Sequence, residues 1–365
     1  MPGLIKDRFF NLLSPLNLTL MKTRIVLFVA AVILFNFVSY GQGGKPGYKI
    51  GKKISLKDDG FWDYLTMDDA SGLLYVSHNT EVQVVNVRSG ETVAAIKGLS
   101  GVHGIALAPE LNKGFISSGR DSMVVVFDLK THADMGKVKT TGGNPDCILY
   151  DPFTQRVFTF NGRSSNSTVI DAKSLKILGT IPLDGKPEFA QSDGKGKVYC
   201  NIEDKSEISE LNPTTMKVEH VWSIAPGEEP SGLALDRTTH RLFSVCSNKM
   251  MVVVNAENGK VITTLPTGEH TDGCAFDPGT RRAFSSNGEG TLTVVQEVDA
   301  DHFKVLENVK TQQGARTITL DTKTHHIYLP TAEFGKTPEP TTDNPHPRPS
   351  LVPGSFTVLD IEPVK

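Results

Sequence analysis

From about residue 60 to the C-terminus, short apolar runs alternate with polar clusters at a nearly fixed interval, without the i, i+3, i+4 spacing of an amphipathic helix. The register is clearest after Gly232. Leu233-Ala-Leu, Arg241–Cys246, Met250–Asn255 and Lys260–Leu265 predict four strands A to D, separated by Asp236-Arg-Thr-Thr-His and Ala256-Glu-Asn-Gly. Asn, Asp and Gly in these breaks supply the backbone angles of tight turns. The same grammar recurs throughout the chain. The residue ending strand A falls at Asp68, Ala108, Asp151, Ser192, Asp236, Asp277 and Asp321, at spacings of 40 to 44 residues. Seven copies of a four-stranded unit at this period predict an all-β, seven-bladed propeller of antiparallel blades.

The third strand of each copy sharpens that expectation. Met123-Val-Val-Val-Phe127 and Met251-Val-Val-Val254 are apolar almost without alternation, which requires burial on both faces, as between neighbouring blades. The last copy ends after its third strand, Ser355–Ile361. Tyr48–Leu56, ahead of the first copy, has the character of a fourth strand and is expected to complete the last blade, removing an exposed sheet edge.

Leu74-Tyr-Val-Ser-His78, Val124-Val-Val-Phe-Asp128 and Leu178-Gly-Thr-Ile-Pro182 resemble the YVTN-repeat, YncE-like propellers of bacterial exported proteins, over essentially the whole mature chain. The literal Tyr-Val-Thr-Asn string is absent, and Tyr75-Val-Ser-His is its nearest counterpart. The resemblance implies the fold and an exported location. Single-stranded DNA binding, reported for some members, does not suit the charge of this chain.

Export is also written at the N-terminus. Lys22 and Arg24 precede an apolar run from Ile25 to Val38, followed by Ser39-Tyr40-Gly41, the layout of a secretory signal cleaved before Gln42. Translation is expected to start at Met21, with residues 1–20 an upstream extension. The run is shorter than a bilayer span needs, so no permanent membrane anchor is expected; an uncleaved anchor is the alternative. Removing residues 1–41 takes the formal charge of the 365-residue chain from −3 to about −6, which argues against nucleic acid as a partner. A monomer is expected. Among the four cysteines, only Cys200 and Cys246, on second strands of adjacent blades, are placed to form a disulfide; buried structural thiols are the alternative.

Candidate chemistry concentrates where the repeats differ. Connections from D to A and from B to C share one face, and five positions before each strand-A end stand Asp63, His103, Asp146, Pro187, Ser231, Asp272 and Arg316. Glu188, Glu229 and His270 are close by. Such a ring gathers carboxylates, imidazoles and a guanidinium at the axis, where a small polar molecule, a protein or a divalent metal would bind. Backbone hydrogen bonding in a narrow channel is the competing role for the same residues. Phe61, Trp62 and Tyr64 either stack on a ligand or plug the mouth. Glu333–Gly354, rich in proline, extends the last B to C loop on this face as a lid, a docking edge or a solvated excursion.

A binding scaffold needs nothing more than this ring. The alternative is a lactone hydrolase or lyase that holds a divalent cation on ring carboxylates. A redox cofactor on His103 and His270 has the least behind it, and no HExxH, CxxC or Gly-x-Ser-x-Gly signature accompanies them.

Overall fold

The structure, a computed structural model, describes residues 47–56, 60–342, 345 and 347–364. The expected leader and start at Met21 lie outside these residues. Seven four-stranded antiparallel sheets surround an axis. Strand A of each blade lies innermost and packs against the next blade's strand A, that of blade seven meeting that of blade one. Among the described residues, no helix is long and apolar enough to cross a membrane.

Burial follows the prediction for the third strands. In Met123–Asp128, Val125 and Phe127 enter the core shared with blade one, whereas Val124 and Val126 enter the core shared with blade three. Met251 and Val253 likewise face blade six, while Val252 and Val254 face blade four. The apolar core is therefore a set of layers between blades. Near the axis, a Cβ at Gly232 would lie 2.5 Å from the Cys274 backbone nitrogen, so the absent side chain lets two innermost strands approach.

The ring closes as expected. Tyr48–Ser55 runs antiparallel to Thr357–Pro363, with Tyr48 opposite Pro363 and Ser55 opposite Thr357, interrupted by a bulge at Gly51. Tyr48 also packs edge-on against Phe284 of blade six at 5.3 Å, and its N–H donates to Glu307 at 2.8 Å. The segment thus stitches blade seven to its neighbour as well as completing it.

All four cysteines are buried free thiols. Cys200 faces the layer between blades three and four and Cys246 the layer between blades four and five, so the suggested disulfide does not form. Adjacent blades present the two thiols to successive layers. Burial pushes the Cys246 thiol up to about 12, which suits an inert structural role.

On the face of the A to B turns, the repeated aspartates organise the chain. Asp236 accepts from the Thr238 N–H at 2.8 Å, and Asp277 accepts from the Gly279 N–H at 2.9 Å. In blade four this role belongs to Asp193, one residue after the expected Ser192; it accepts from the N–H groups of Lys195 and Lys197. Asp236 also meets a buried carboxyl from blade six, Glu297, and Thr239 Oγ1 lies 2.8 and 2.7 Å from the two. Burial and the hydrogen bond to Asp236 push Glu297 up to about 7, against Thr239 and the charge of Arg281, 4.0 Å away. Burial alone would raise Asp236, yet its bonds to the Thr238 N–H, Glu297 and Thr239 hold it below the usual range.

Two predictions follow from this packing. Deleting residues 48–56 should open the edge of blade seven and cause insolubility or a large fall in Tm; a deletion that melts like the parent would contradict the closure. Glu297 binds its proton more tightly folded than unfolded, where it titrates near 4.5, so the stability it adds at acid pH is lost as pH rises through about 7. Between about pH 5 and pH 8 the Tm should fall more in the parent than in Glu297→Gln, by roughly 2 to 5 °C. Parallel melting curves for the two proteins would contradict the raised Glu297 carboxyl.

Candidate axial binding site

A register break near the start of strand A aims the ring residues. In blades one to six, one extra residue is accommodated near the beginning of this strand, between Trp62 and Leu65 in blade one and between Val102 and Ile105 in blade two. A bulge frees backbone groups and redirects side chains. Second-strand hydroxyls take up those groups: Ser77 Oγ accepts from Asp63 N–H at 2.9 Å, Ser117 Oγ accepts from Gly104 N–H at 2.8 Å, and Ser286 Oγ donates to Arg316 O. Ser117 Oγ also donates to Asp146 O at 2.6 Å, tying blade two to blade three. Sequence reading passed over these serines. The available signal is a small hydroxyl in the fifth place of the second strand.

Register also corrects the ring in blade four. Pro187 pairs with Ile202 as Pro145 pairs with Asn161, so Glu188 is the counterpart of Asp146 and Pro187 sits one place earlier. The spacing from Ser192 misses this because strand A of this blade ends one residue short of the turn aspartate.

Asp63, His103 and Asp146 come together. His103 Nδ1 lies 2.6 Å from Asp63 Oδ2 and 3.6 Å from Asp146 Oδ1, and one donor atom from each residue falls within 4.8 Å of the others. Arg316 pairs with Asp272 and lies 3.5 Å from Asp63 Oδ1, so it is an ion-pair partner of the acids. Lys186, another residue missed in the sequence, holds Glu188 at 2.7 Å and also contacts Glu203. Glu229 and His270 stand apart. Both adopt left-handed φ angles, 47° and 55°, where the chain turns into strand A, and both are exposed. Among the described residues, neither shares a hydrogen bond or ion pair with the cluster; Glu229 instead accepts from Ser247 Oγ at 3.0 Å.

Tyr64 crosses the axis from blade one, its ring edge-on to Phe189 of blade four at 5.2 Å. It forms a floor to the mouth. Trp62 leaves the site, stacking on Phe356 at 5.4 Å in the core between blades seven and one, and Phe61 is exposed. The proline-rich insertion is pinned at its root, where Phe334 bridges Leu351 and Gly335 N–H donates to Ser350 O at 2.8 Å.

Charges in the mouth are strongly coupled. Burial opposes protonation of His103, but the Asp63 hydrogen bond and the charges of Asp146, Asp63 and Glu188 outweigh it and raise the imidazolium to about 9. Asp146 is pushed up by burial, against the charge of His103; Glu188 is pushed up by burial and by the charge of Asp146, against Lys186. Burial and the charges of Asp146, Glu188 and Asp63 raise Tyr64 well above the phenol range.

Two clefts lie elsewhere. One, about 250 Å³, contains Lys197, Arg237 and His240, already engaged by Glu210, Ser192 O and Glu257. The other, about 480 Å³, lies at the opposite end of the innermost strands of blades one to three, with mostly apolar strand residues such as Ile105, Leu107 and Ile148. The first also gathers unlike titratable groups, Asp193, Lys195, Arg237, His240 and Glu257 among them, whereas the second is mostly apolar.

Fold and site together define a seven-bladed β-propeller with an acidic axial mouth. No protein-family model matches the chain. Antigen Lp49 of Leptospira interrogans is 26% identical over 211 residues, which cover 54% of this chain and 46% of that protein, so the chain spans about half the length of the curated relative it matches. A chain in the crystal structure of the mitotic checkpoint complex shares the fold, with a TM-score of 0.69 at 10% identity over 87% of this chain and 95% of that one.

Gly119 fixes the edge of the site. A Cβ there would lie 2.6 Å from His103 Nε2 and 2.8 Å from Asn144 Oδ1. Gly119→Ala should displace the imidazole at a cost of about 1 to 3 kcal/mol. Unchanged His103 ring resonances in two-dimensional NMR would contradict this packing.

Proposed function

We propose that this chain is an exported binding propeller of the YVTN-repeat type, with the axial mouth holding a small polar ligand that carries positive charge. One observation carries the reading: Asp63, His103 and Asp146, from three blades, present donor atoms within 4.8 Å of one another. Charge then selects the ligand. Asp63, Asp146 and Asp272 meet Arg316 and the His103 imidazolium, and Glu188 and Glu203 meet Lys186, so five carboxylates face three cationic groups. A cationic group offsets that excess, whereas an anion adds to it. The signal-like segment before Gln42 supports export, as does a relative named as an antigen. The hydrolase or lyase alternative draws no support from the antigen relative.

Thermal shifts with a panel of polyamines, basic amino acids and divalent cations should identify ligands. Asp63→Asn, Asp146→Asn, Glu188→Gln and Asp272→Asn should weaken the strongest hit with modest loss of stability. Asp277→Asn, on the turn face, should lower stability by roughly 0.5 to 2 kcal/mol and leave affinity unchanged. Ring variants that bind like the parent, beside a turn variant that loses affinity at unchanged stability, would place function on the other face. Exported protein should begin near Gln42, as N-terminal sequencing would show.

A further inference from the structure

We infer that the axial mouth is a transition-metal site whose protein ligands are Asp63 Oδ2, His103 Nδ1 and Asp146 Oδ1. This rests on the binding reading above and names the ligand class. Donors held at metal-bond lengths near 2.1 Å lie roughly 2.9 to 3.5 Å apart around a tetrahedral or octahedral ion. His103 Nδ1 stands 2.6 Å from one carboxylate oxygen and 3.6 Å from the other, bracketing that range. The ligands also sit on rigid parts. Each is the second residue of an innermost strand, held there by the bulge and the serine bonds to Asp63 N–H, Gly104 N–H and Asp146 O.

Surrounding groups address the atoms left over. Arg316 faces Asp63 Oδ1, leaving Oδ2 to the ion. Outer partners of this kind orient ligands in metal sites. Gly119 leaves room for the Nε2 edge of His103. An imidazole beside two carboxylates suits zinc, cobalt or manganese better than calcium or magnesium, which take oxygen donors. Binding puts the ion on the Nδ1 lone pair, any proton carried there passes to solvent, and the excess carboxylate charge is offset.

The test uses the purified full chain, dialysed against a chelator and titrated by calorimetry with zinc, cobalt, manganese and calcium chlorides. One zinc or cobalt ion per chain is expected, at least about tenfold tighter than calcium, with visible absorption from bound cobalt. His103→Gln and Asp146→Asn should each weaken zinc at least about tenfold and remove the cobalt band. His302→Gln, at an exposed histidine beside Asp299, should bind like the parent and so control for surface coordination. If His103→Gln melts far below the parent, Asp146→Asn decides the question. Absence of stoichiometric zinc or cobalt binding, or undiminished zinc binding by folded Asp146→Asn, would overturn the metal assignment. If organic cations then still raise Tm through the ring carboxylates, the mouth remains a binding site and only the metal falls; if they also fail, the binding reading falls with it.

Discussion

Everything in this molecule depends on strands that cannot tolerate water on either face. Val124 and Val126 face one neighbour while Val125 and Phe127 face the other, so each blade needs a partner on both sides. Only a closed ring meets that demand for every blade. The N-terminal strand contributes Tyr48 and Ile54 to the cores on the two sides of blade seven, and its pairing covers the otherwise open edge of the apolar strand Thr357–Pro363.

Closure has a chemical consequence at the axis. Stacking layers of fixed thickness brings the innermost strands close together, and glycine at 232 records how close. The bulges point one side chain per blade inward, so residues far apart in sequence share a small, half-buried volume. Their charges then interact strongly because water is partly excluded. The pairing is incomplete: Arg316 and Lys186 meet several carboxylates, and the remaining strain appears in the raised Asp146 and Glu188 carboxyls and the stabilised His103 imidazolium.

The two faces of the ring use the same residue types for different ends. On the turn face, Asp236 and Asp277 satisfy backbone N–H groups within their own turns, and their neighbours are short and repeated. At the mouth, Asp63 and Asp146 are aimed across blade boundaries toward a shared histidine. Asp236 and Asp277 also reach side chains of the next blade, Glu297 and His325, but they fix local backbone as well, whereas the Asp63 and Asp146 carboxylates meet side chains.

Local pattern alone determined the blade count, the strand grammar and the closing strand, because each depends on short-range periodicity and on where copies begin and end. It also placed Asp63, His103, Asp146, Asp272 and Arg316 on one ring, since equivalent positions in a repeat occupy equivalent places in space. Tertiary structure decided the rest. A one-residue difference in blade four put Glu188 in the place assigned to Pro187, and the left-handed corners took Glu229 and His270 out to the rim. Cys200 and Cys246 remain apart because adjacent blades turn them toward successive layers. Lys186, Tyr64 and Gly119 enter the site through contacts between blades, and such contacts depend on bulges and side-chain directions that periodicity does not encode.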